Sequence, residues 1–246
     1  MIGADISNHQ RGLTMDELKA EGVEFVIIKA TQGTHFIDPC GAEFYAAAAA
    51  AGLPAGVYCY SEATTPEDAE AEARFLLAAI RGHPMPCGVW LDVECSEQLR
   101  LATDQLTFTV AAWCRVIRAA GYTPGIYSSE LSAWPKIERK ALRDDVLIWV
   151  AHYGKSPAME CDLWQYTDQH PLPGHKFTLD VDLTCSERFK AMVNAAQASP
   201  APPVDLAAET AKAPDISGAL AALAAYLQTE DFRAGFLNFL EGSASK

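Results

Sequence analysis

Asp92 and Glu94 stand two positions apart in the segment Val89–Glu94, which is otherwise apolar. Side chains two apart on a β-strand point to the same face, and their Cα atoms lie about 6–7 Å apart. Two carboxyl groups at that range can differ in protonation, one serving as an acid while the other stays ionised. The alternative is a strand whose polar face meets solvent, but an idle acid pair beside Trp90 in a buried strand would be costly. We therefore interpret the segment as an acid–base site.

The rest of the chain alternates strand-like segments with segments of helical period. Predicted strands are Ile2–Ser7, Glu24–Thr31, Ala55–Ser61, Val89–Glu94, Thr123–Ser129, Val146–Tyr153, Cys161–Thr167 and Leu179–Thr184. Predicted helices are Leu13–Glu21, Gly41–Ala51, Thr65–Ile80, Thr103–Ala120 and Ser186–Ala198. This alternation predicts a parallel sheet with right-handed crossovers. Because the last three strands leave no room for full helices between them, we expect an α/β fold, an irregular TIM-like (β/α) barrel of eight strands with about five helices.

Barrels of this kind carry their chemistry at the carboxyl ends of the strands. Asp5 falls near the end of the first predicted strand and Asp182 near the end of the last. Together with Asp92 and Glu94 they form a predicted set of four acids at one end of the barrel. A carboxyl group near three others has its ionised form disfavoured, so one member should stay protonated near neutral pH.

Composition excludes several classes of partner and cofactor. The formal net charge of −13 argues against nucleic-acid binding, which needs a basic face, and against electrostatic capture by an anionic membrane or wall polymer. The seven cysteines include no C-x-x-C pair and show no metal-site spacing. We expect reduced thiols, no metal and no cofactor, with one disulfide as the minority alternative.

The chain begins directly in a strand-like segment, without a basic and then an apolar leader region. No apolar segment reaches transmembrane length. We expect a soluble protein that lacks a Sec-type signal peptide and does not insert into membranes.

Three domains are predicted along the chain. Residues 1–198 form the barrel, 199–216 an Ala/Pro-rich linker, and 217–246 a short helical segment. That segment carries an apolar stripe that so short a piece cannot bury alone. Self-association as a homo-oligomer is the preferred expectation, followed by docking on the barrel and then by wall recognition. The stripe consists of Leu220, Leu223, Leu227, Phe232, Phe236 and Leu240.

Several segments, taken together and in order, resemble glycoside hydrolase family 25, the Chalaropsis-type lysozymes. The resemblance covers roughly residues 1–190 and implies the irregular barrel inferred above. It also implies hydrolysis of the β-1,4 bond between N-acetylmuramic acid and N-acetylglucosamine, with peptidoglycan as the partner. The matching segments are Gly3–Ser7 with Gln10, Phe25–Thr31, Ala55–Tyr58, Trp90–Glu94, Gly125–Ser128, Leu163–Tyr166 and Val181–Leu183.

Transferred by position, the resemblance implies that Glu94 is the general acid. It implies that Asp92 orients the 2-acetamido group or stabilises the cationic centre, and that Asp5 and Asp182 line the cleft. The spacing of Asp92 and Glu94 falls between those expected of retaining and inverting pairs, and we favour the substrate-assisted, retaining route.

Aromatic and amide side chains complete the predicted site. For the aromatic rings, sugar stacking and core packing remain equal alternatives, with Tyr58 and Tyr127 favoured because they match family positions. The predicted substrate-binding residues are Tyr58, Tyr60, Tyr127, Trp149, Tyr153 and Gln165.

The sequence departs from the family pattern at three positions. Gln32 replaces a frequent acid, Cys59 a frequent histidine and Thr184 a frequent asparagine. These changes leave the four acids in place, so we expect activity with altered substrate contacts.

Two other functions remain as alternatives. One is a catalytically silent barrel that only binds glycan, which the four acids disfavour. The other is a hydrolase of chitin-like polymers, whose longer acidic motif is absent because Gly88 and Val89 occupy its positions. The expected setting is a phage or prophage endolysin made in the host cytoplasm and released to the wall, or an exported autolysin that uses another route.

Overall fold

A computed structural model describes residues 1–199 of the 246-residue chain. Contacts divide the chain into one unit at Met1–Val204 and another at Asp205–Lys246. The predicted linker and helical segment lie outside the described residues and stay predictions.

Within residues 1–199, nine strands form one sheet, and eight of them close into a barrel because the first strand pairs with both the second and the last. The two-residue strand β3, which the sequence did not predict, only extends the edge of β2. The strands are β1 (Ile2–Ile6), β2 (Phe25–Gln32), β3 (Phe36–Ile37), β4 (Ala55–Tyr60), β5 (Val89–Asp92), β6 (Pro124–Ser129), β7 (Leu147–Ala151), β8 (Leu163–Pro171) and β9 (Thr178–Thr184).

The prediction of an all-parallel sheet is wrong at the last strand. The strands β1, β2, β4, β5, β6, β7 and β8 pair in parallel where they meet, but β9 runs antiparallel to both β8 and β1. A short connection suffices between antiparallel strands, whereas a parallel pair needs a crossover of a dozen or more residues. The connection between β8 and β9, residues 172–177, is too short for such a crossover and therefore signals the reversal.

The five predicted helices are present, with boundaries within about two residues of those expected. A one-turn helix that was not predicted follows β5. The helices are α1 (Met15–Ala20), α2 (Gly41–Ala51), α3 (Pro66–Ile80), α4 (Ser96–Leu99), α5 (Thr103–Ala119) and α6 (Glu187–Ala198). Local signals set several starts: Thr14 and Glu17 form a capping box at α1, and Thr65 caps α3 ahead of its first-turn proline.

The inside of the barrel is filled with aromatic rings. Trp90 makes edge contacts with Trp149 and Phe189, at centroid distances of 5.4 Å and 5.9 Å. Two glycines leave space for these rings: a Cβ on Gly125 would come within 2.2 Å of Trp90, and one on Gly3 within 2.2 Å of Phe25. Because Phe189 lies on α6, this last helix contributes to the barrel interior.

Candidate active site

The predicted acids lie above this aromatic floor, but at different depths. Asp5 pairs with Asp180 across the sheet, whereas Asp182 pairs with Gly3, two residues earlier on β1. Because β9 runs antiparallel, its carboxyl end lies at the opposite end of the barrel from that of β1. The expectation that Asp182 sits at the catalytic end of its strand is therefore corrected: Asp180 occupies that level and Asp182 lies beneath it.

Asp5, Asp180 and Asp182 form one row of carboxyl groups. Asp5 lies beside both of the others, and each of them influences its pKa or is influenced by it. Burial raises the pKa of Asp5 well above its usual range, and the charge of Asp182 adds to this effect. Burial, followed by the charge of Asp5, raises the pKa of Asp180 to about 9. Burial and mutual repulsion therefore favour protonated forms within the row.

Asp182 is fully buried and fixes the floor. One carboxyl oxygen, Oδ1, accepts a 2.8 Å hydrogen bond from Nε1 of Trp149. Burial raises the pKa of Asp182 well above its usual range, and the bond from Trp149 opposes that shift. The side chain thus joins the aromatic floor to Asp5.

Asp92 and Glu94 share the mouth of the barrel but differ in exposure. Asp92 ends β5 and is buried, while Glu94 follows the strand and is exposed. Burial raises the pKa of Asp92 well above its usual range, and the charge of Glu94 raises it further. Desolvation by the surrounding protein also raises the pKa of Glu94. The positive charge of Lys29 opposes the rise in the pKa of both Asp92 and Glu94. One buried and one accessible carboxyl are thereby placed together.

Lys29 is the cation beside these acids. It lies on β2, where Nζ donates to Oε1 of Gln32 at 3.2 Å and stands 5.2 Å from the ring centroid of Tyr60. Its charge favours ionised Asp92 and Glu94, so it limits how far their pKa values rise.

Gln165 links Asp5 to two tyrosines. Its Nε2 donates to Oδ2 of Asp5 at 2.9 Å. Its Oε1 accepts from the hydroxyl of Tyr127 at 2.9 Å and from that of Tyr153 at 3.0 Å. The amide is 2% exposed, so in this structure it positions Asp5 and the tyrosine hydroxyl groups from behind.

The predicted aromatic residues divide into floor and wall. Trp149 is 2% exposed and Tyr127 is 9% exposed, which leaves little ring surface on which a sugar could stack. Tyr58 and Tyr60 are partly exposed, and Tyr153 is half exposed. Asp5 and Asp92 both act on the pKa of Tyr58, and Glu94 acts on that of Tyr60. These three tyrosines form the accessible wall.

Sequence reasoning missed Asp180 as a site residue. The signal was present, since Asp180 and Asp182 are two apart on one strand and so face the same way. Only the direction of β9 decides which of the two reaches the mouth, and that direction cannot be read from local alternation.

Within residues 1–199, no group of three or more potential ligand side chains is arranged to hold a metal ion. Along the same residues, no helix is both long and apolar enough to cross a bilayer. All seven cysteines of the sequence lie in this part of the chain and are free thiols in the structure.

Comparison with known proteins agrees with this architecture. The model of the glycosyl hydrolases family 25 matches residues 4–175, which include the acids of β1 and β5. The chain belongs to glycosyl hydrolases family 25. This family 25 chain is 30% identical over 185 residues to the autolytic lysozyme of Clostridium acetobutylicum and 24% identical over 189 residues to the lysozyme of Streptococcus phage Cp-7.

The two matches cover 74% and 72% of this chain, but only 55% and 53% of those relatives. The family 25 chain therefore matches about half the length of each. Among solved structures, the catalytic domain of endolysin ply40 from Listeria phage P40 superposes with a TM-score of 0.64 at 26% identity, covering 81% of this chain and 98% of that one. The bacterial lysozyme of Streptomyces coelicolor superposes with a TM-score of 0.68 at 22% identity, covering 79% and 97%. The barrel is thus a family 25 glycoside hydrolase fold.

Proposed function

We propose that this protein is an N-acetylmuramidase that cleaves the β-1,4 bond between N-acetylmuramic acid and N-acetylglucosamine in peptidoglycan. The observation that carries the proposal is the placement of an accessible Glu94 beside a buried Asp92 at the mouth of a family 25 barrel. Glycosidases place two carboxyl groups around the bond to be broken. The lysozyme relatives support the choice of substrate.

Glu94 is the proposed general acid. Its raised pKa favours the protonated form, and a proton donor works best when its pKa lies near the working pH. Exposure lets the carboxyl group reach the glycosidic oxygen, which leaves as an alcohol once protonated. The same group, then ionised, would remove a proton from the incoming water.

Asp92 is the proposed partner of the 2-acetamido group. Asp92 is buried but keeps 6% of its surface accessible at the mouth of the barrel. An acetamido N–H that donates to the accessible side of this carboxyl group would hold the acetamido carbonyl against the anomeric carbon. This arrangement favours a substrate-assisted, retaining reaction, an exception to the two-carboxylate schemes.

Asp5 and Asp180 are proposed to line the sugar-binding cleft, with Asp182 supporting them from below. The contacts of Asp5 with both aspartates support this division. Tyr58, Tyr60 and Tyr153 are the proposed ring contacts because their side chains retain accessible surface.

The proposed setting is a phage or prophage endolysin that reaches the bacterial wall at lysis, with an exported autolysin as the alternative. The phage lysozyme relative and the phage endolysin domain of the same fold support it. Self-association through residues 217–246 belongs to the same proposal and rests on the apolar stripe in the sequence.

The test is digestion of purified peptidoglycan, followed by borohydride reduction of the products. A muramidase yields reduced N-acetylmuramic acid ends, whereas a glucosaminidase yields reduced N-acetylglucosamine ends. Chitin oligosaccharides form a parallel arm for the other hydrolase class, and Glu97→Gln is a matched carboxyl control on the same segment, with a side chain 58% exposed beside Arg100. Release of no new reducing ends would leave the glycan-binding barrel as the better account.

A further inference from the structure

A second polar cluster lies behind the site, away from the cleft. Ser61 is 0% exposed, Glu72 3% and Gln98 0%. Ser61 Oγ donates to Oε2 of Glu72 at 2.7 Å and accepts from Nε2 of Gln98 at 2.7 Å. Three different elements therefore meet at one hydroxyl group: the end of β4, helix α3 and the one-turn helix α4.

The hydrogen bonding within the cluster is nearly complete. Ser61 Oγ also accepts from the backbone N–H of Ala63 at 3.3 Å, so its donor and both acceptor sites are used. The second N–H of the Gln98 side chain donates to the carbonyl of Ala63 at 3.0 Å. Only Oε1 of Gln98 lacks a partner among the described residues.

Stability does not account for a cluster of this kind. A buried polar network with an unsatisfied acceptor is no more stable than apolar side chains of the same shape. Glu72 makes a further unfavourable contribution to stability, because burial disfavours its ionised form and raises its pKa above the usual range. What the three polar side chains provide, and apolar ones do not, is a fixed orientation of the segments that carry them.

Those segments carry the site. The backbone N–H of Ser61 donates to the carbonyl of Asp92 at 3.0 Å. Gln98 lies four positions after Glu94, in the one-turn helix α4 that the N–H of Leu99 closes on the carbonyl of Cys95 at 3.0 Å. Pinning Gln98 to the end of β4 therefore limits where the backbone of Glu94 can move.

The neighbouring wall, at the end of β4, is held by the same cluster. Ser61 stands between Tyr60 and Glu62, which both border the cleft near Lys29. The backbone N–H of Glu62 donates to Oε1 of Glu72 at 2.9 Å, and Oε1 of Glu62 accepts from Nε2 of Gln32 at 2.8 Å. One buried anchor thus joins the segments that follow β4 and β5, beyond the paired residues Tyr60 and Asp92.

We propose that Gln98, Ser61 and Glu72 are positioning residues that hold the Glu94 segment at its working distance from the end of β4. The inference rests on the proposed muramidase function, in which Glu94 delivers the proton. None of the three touches the substrate, and their effect passes through the backbone of residues 61–63 and 94–98.

The experiment uses the full chain and soluble peptidoglycan glycan fragments, with Gln98→Met as the variant. Methionine keeps the length and shape of the side chain while removing both N–H bonds. We expect kcat to fall roughly tenfold to a hundredfold, the range that small misplacements of a reacting group produce. KM should change by less than about threefold, because the residues that line the cleft are unchanged. The thermal midpoint should fall, because buried Ser61 Oγ and the Ala63 carbonyl each lose a donor, so activity is measured well below the midpoint of the variant.

A pH profile separates positioning from general damage. Desolvation by the surrounding protein raises the pKa of Glu94. If the Glu94 segment moves toward solvent in Gln98→Met, that pKa should fall. The alkaline limb of the pH–activity profile should then lie at lower pH than in wild type. The control is Thr109→Val, which removes a fully buried hydroxyl that bonds only to the Gln105 carbonyl of its own helix. It should leave both kcat and the pH profile unchanged.

Gln98→Met with wild-type kcat and an unmoved alkaline limb overturns the inference, as does an equal loss in Thr109→Val. Where Gln98→Met does not fold, Glu72→Gln decides on the same two readouts. In wild type the two carboxyl oxygens of Glu72 accept one hydrogen bond each, from the Ser61 hydroxyl and the Glu62 N–H. A glutamine keeps only one oxygen, so its NH2 group would face one of these two donors. Wild type that cleaves no glycan refutes the proposed function itself, whereas active wild type with unaffected variants refutes only the positioning role.

Discussion

Replacing Gln165 with leucine tests the hydrogen-bonded hub behind the acids. Leucine has nearly the volume of glutamine, so the main change is the loss of three hydrogen bonds. Two of the orphaned partners, Asp5 and Tyr127, are buried, whereas Tyr153 is half exposed and can bond to water instead.

The expected loss of stability follows from those two buried groups. Each buried polar group left without a partner costs about 1–3 kcal/mol, and protonated Asp5 can still bond to its neighbouring aspartates. We therefore expect Gln165→Leu to lower the free energy of unfolding by about 2–4 kcal/mol. Adding Tyr127→Phe should restore about 1 kcal/mol or more, since removing both partners is nearly neutral.

Urea unfolding at constant pH, followed by tryptophan fluorescence, measures both values. Gln197→Leu is the matched control, because this exposed side chain makes a single 3.2 Å bond to the Glu24 carbonyl; it should change stability by less than about 0.5 kcal/mol. A loss below about 1 kcal/mol in Gln165→Leu, or no recovery in the double variant, would falsify the assignment of Gln165 as the hub.

The remaining predictions concern catalysis, pH, thiols and domain structure. Glu94→Gln should lower lytic turnover roughly 10²–10⁴-fold and Asp92→Asn roughly 10²-fold or more, with thermal midpoints equal or higher; a tenth of wild-type turnover in Glu94→Gln contradicts the acid assignment. Folded Asp180, with a pKa of about 9 against an ordinary 3.8, keeps a proton that the unfolded chain releases, so its contribution to stability is full below pH about 4 and is lost toward pH 9. Urea midpoints should therefore be lower at pH 8.5 than at pH 5, and an Asp180→Asn variant that shows the same slope would refute this. Titration of the denatured, unreduced protein should find close to seven thiols, and recovery of five or fewer would indicate a disulfide. A chain truncated after Ala198 should stay folded, monomeric and active, while the full chain sediments as an oligomer; a monomeric full chain excludes self-association.

Local pattern was enough to predict the elements of the barrel and the acids of its parallel strands. The segment at Val89–Glu94 and the first strand each carry a carboxylate at or near their carboxyl end, and parallel strands present such ends at one face. The pattern also indicated five helices, because apolar spacing, capping residues and glycine stops coincide along them.

Long-range geometry was beyond that pattern. The reversal of β9 decides whether Asp180 or Asp182 reaches the mouth, and strand direction depends on connections rather than on alternation. Trp149 illustrates a second limit: an aromatic ring on a barrel strand fits sugar stacking, but its indole N–H donates to Asp182 below. Gln98 belongs to no sequence motif, so its hydrogen bond to Ser61 could be found only from the structure.

The closure of the barrel by its first and last strands has a consequence for the order of folding. Asp5 comes from β1 and its neighbour Asp180 from β9, and the hydrogen bond from Gln165 to Asp5 spans 160 positions in sequence. Contacts so distant in sequence form late, because a long loop must close before they contribute. On the ribosome, β1 therefore leaves the exit tunnel long before its partner strand exists. A nascent chain would carry most of the helices and parallel strands yet still lack a complete row of acids, so catalytic competence would arrive abruptly with the last strand rather than accumulate during synthesis.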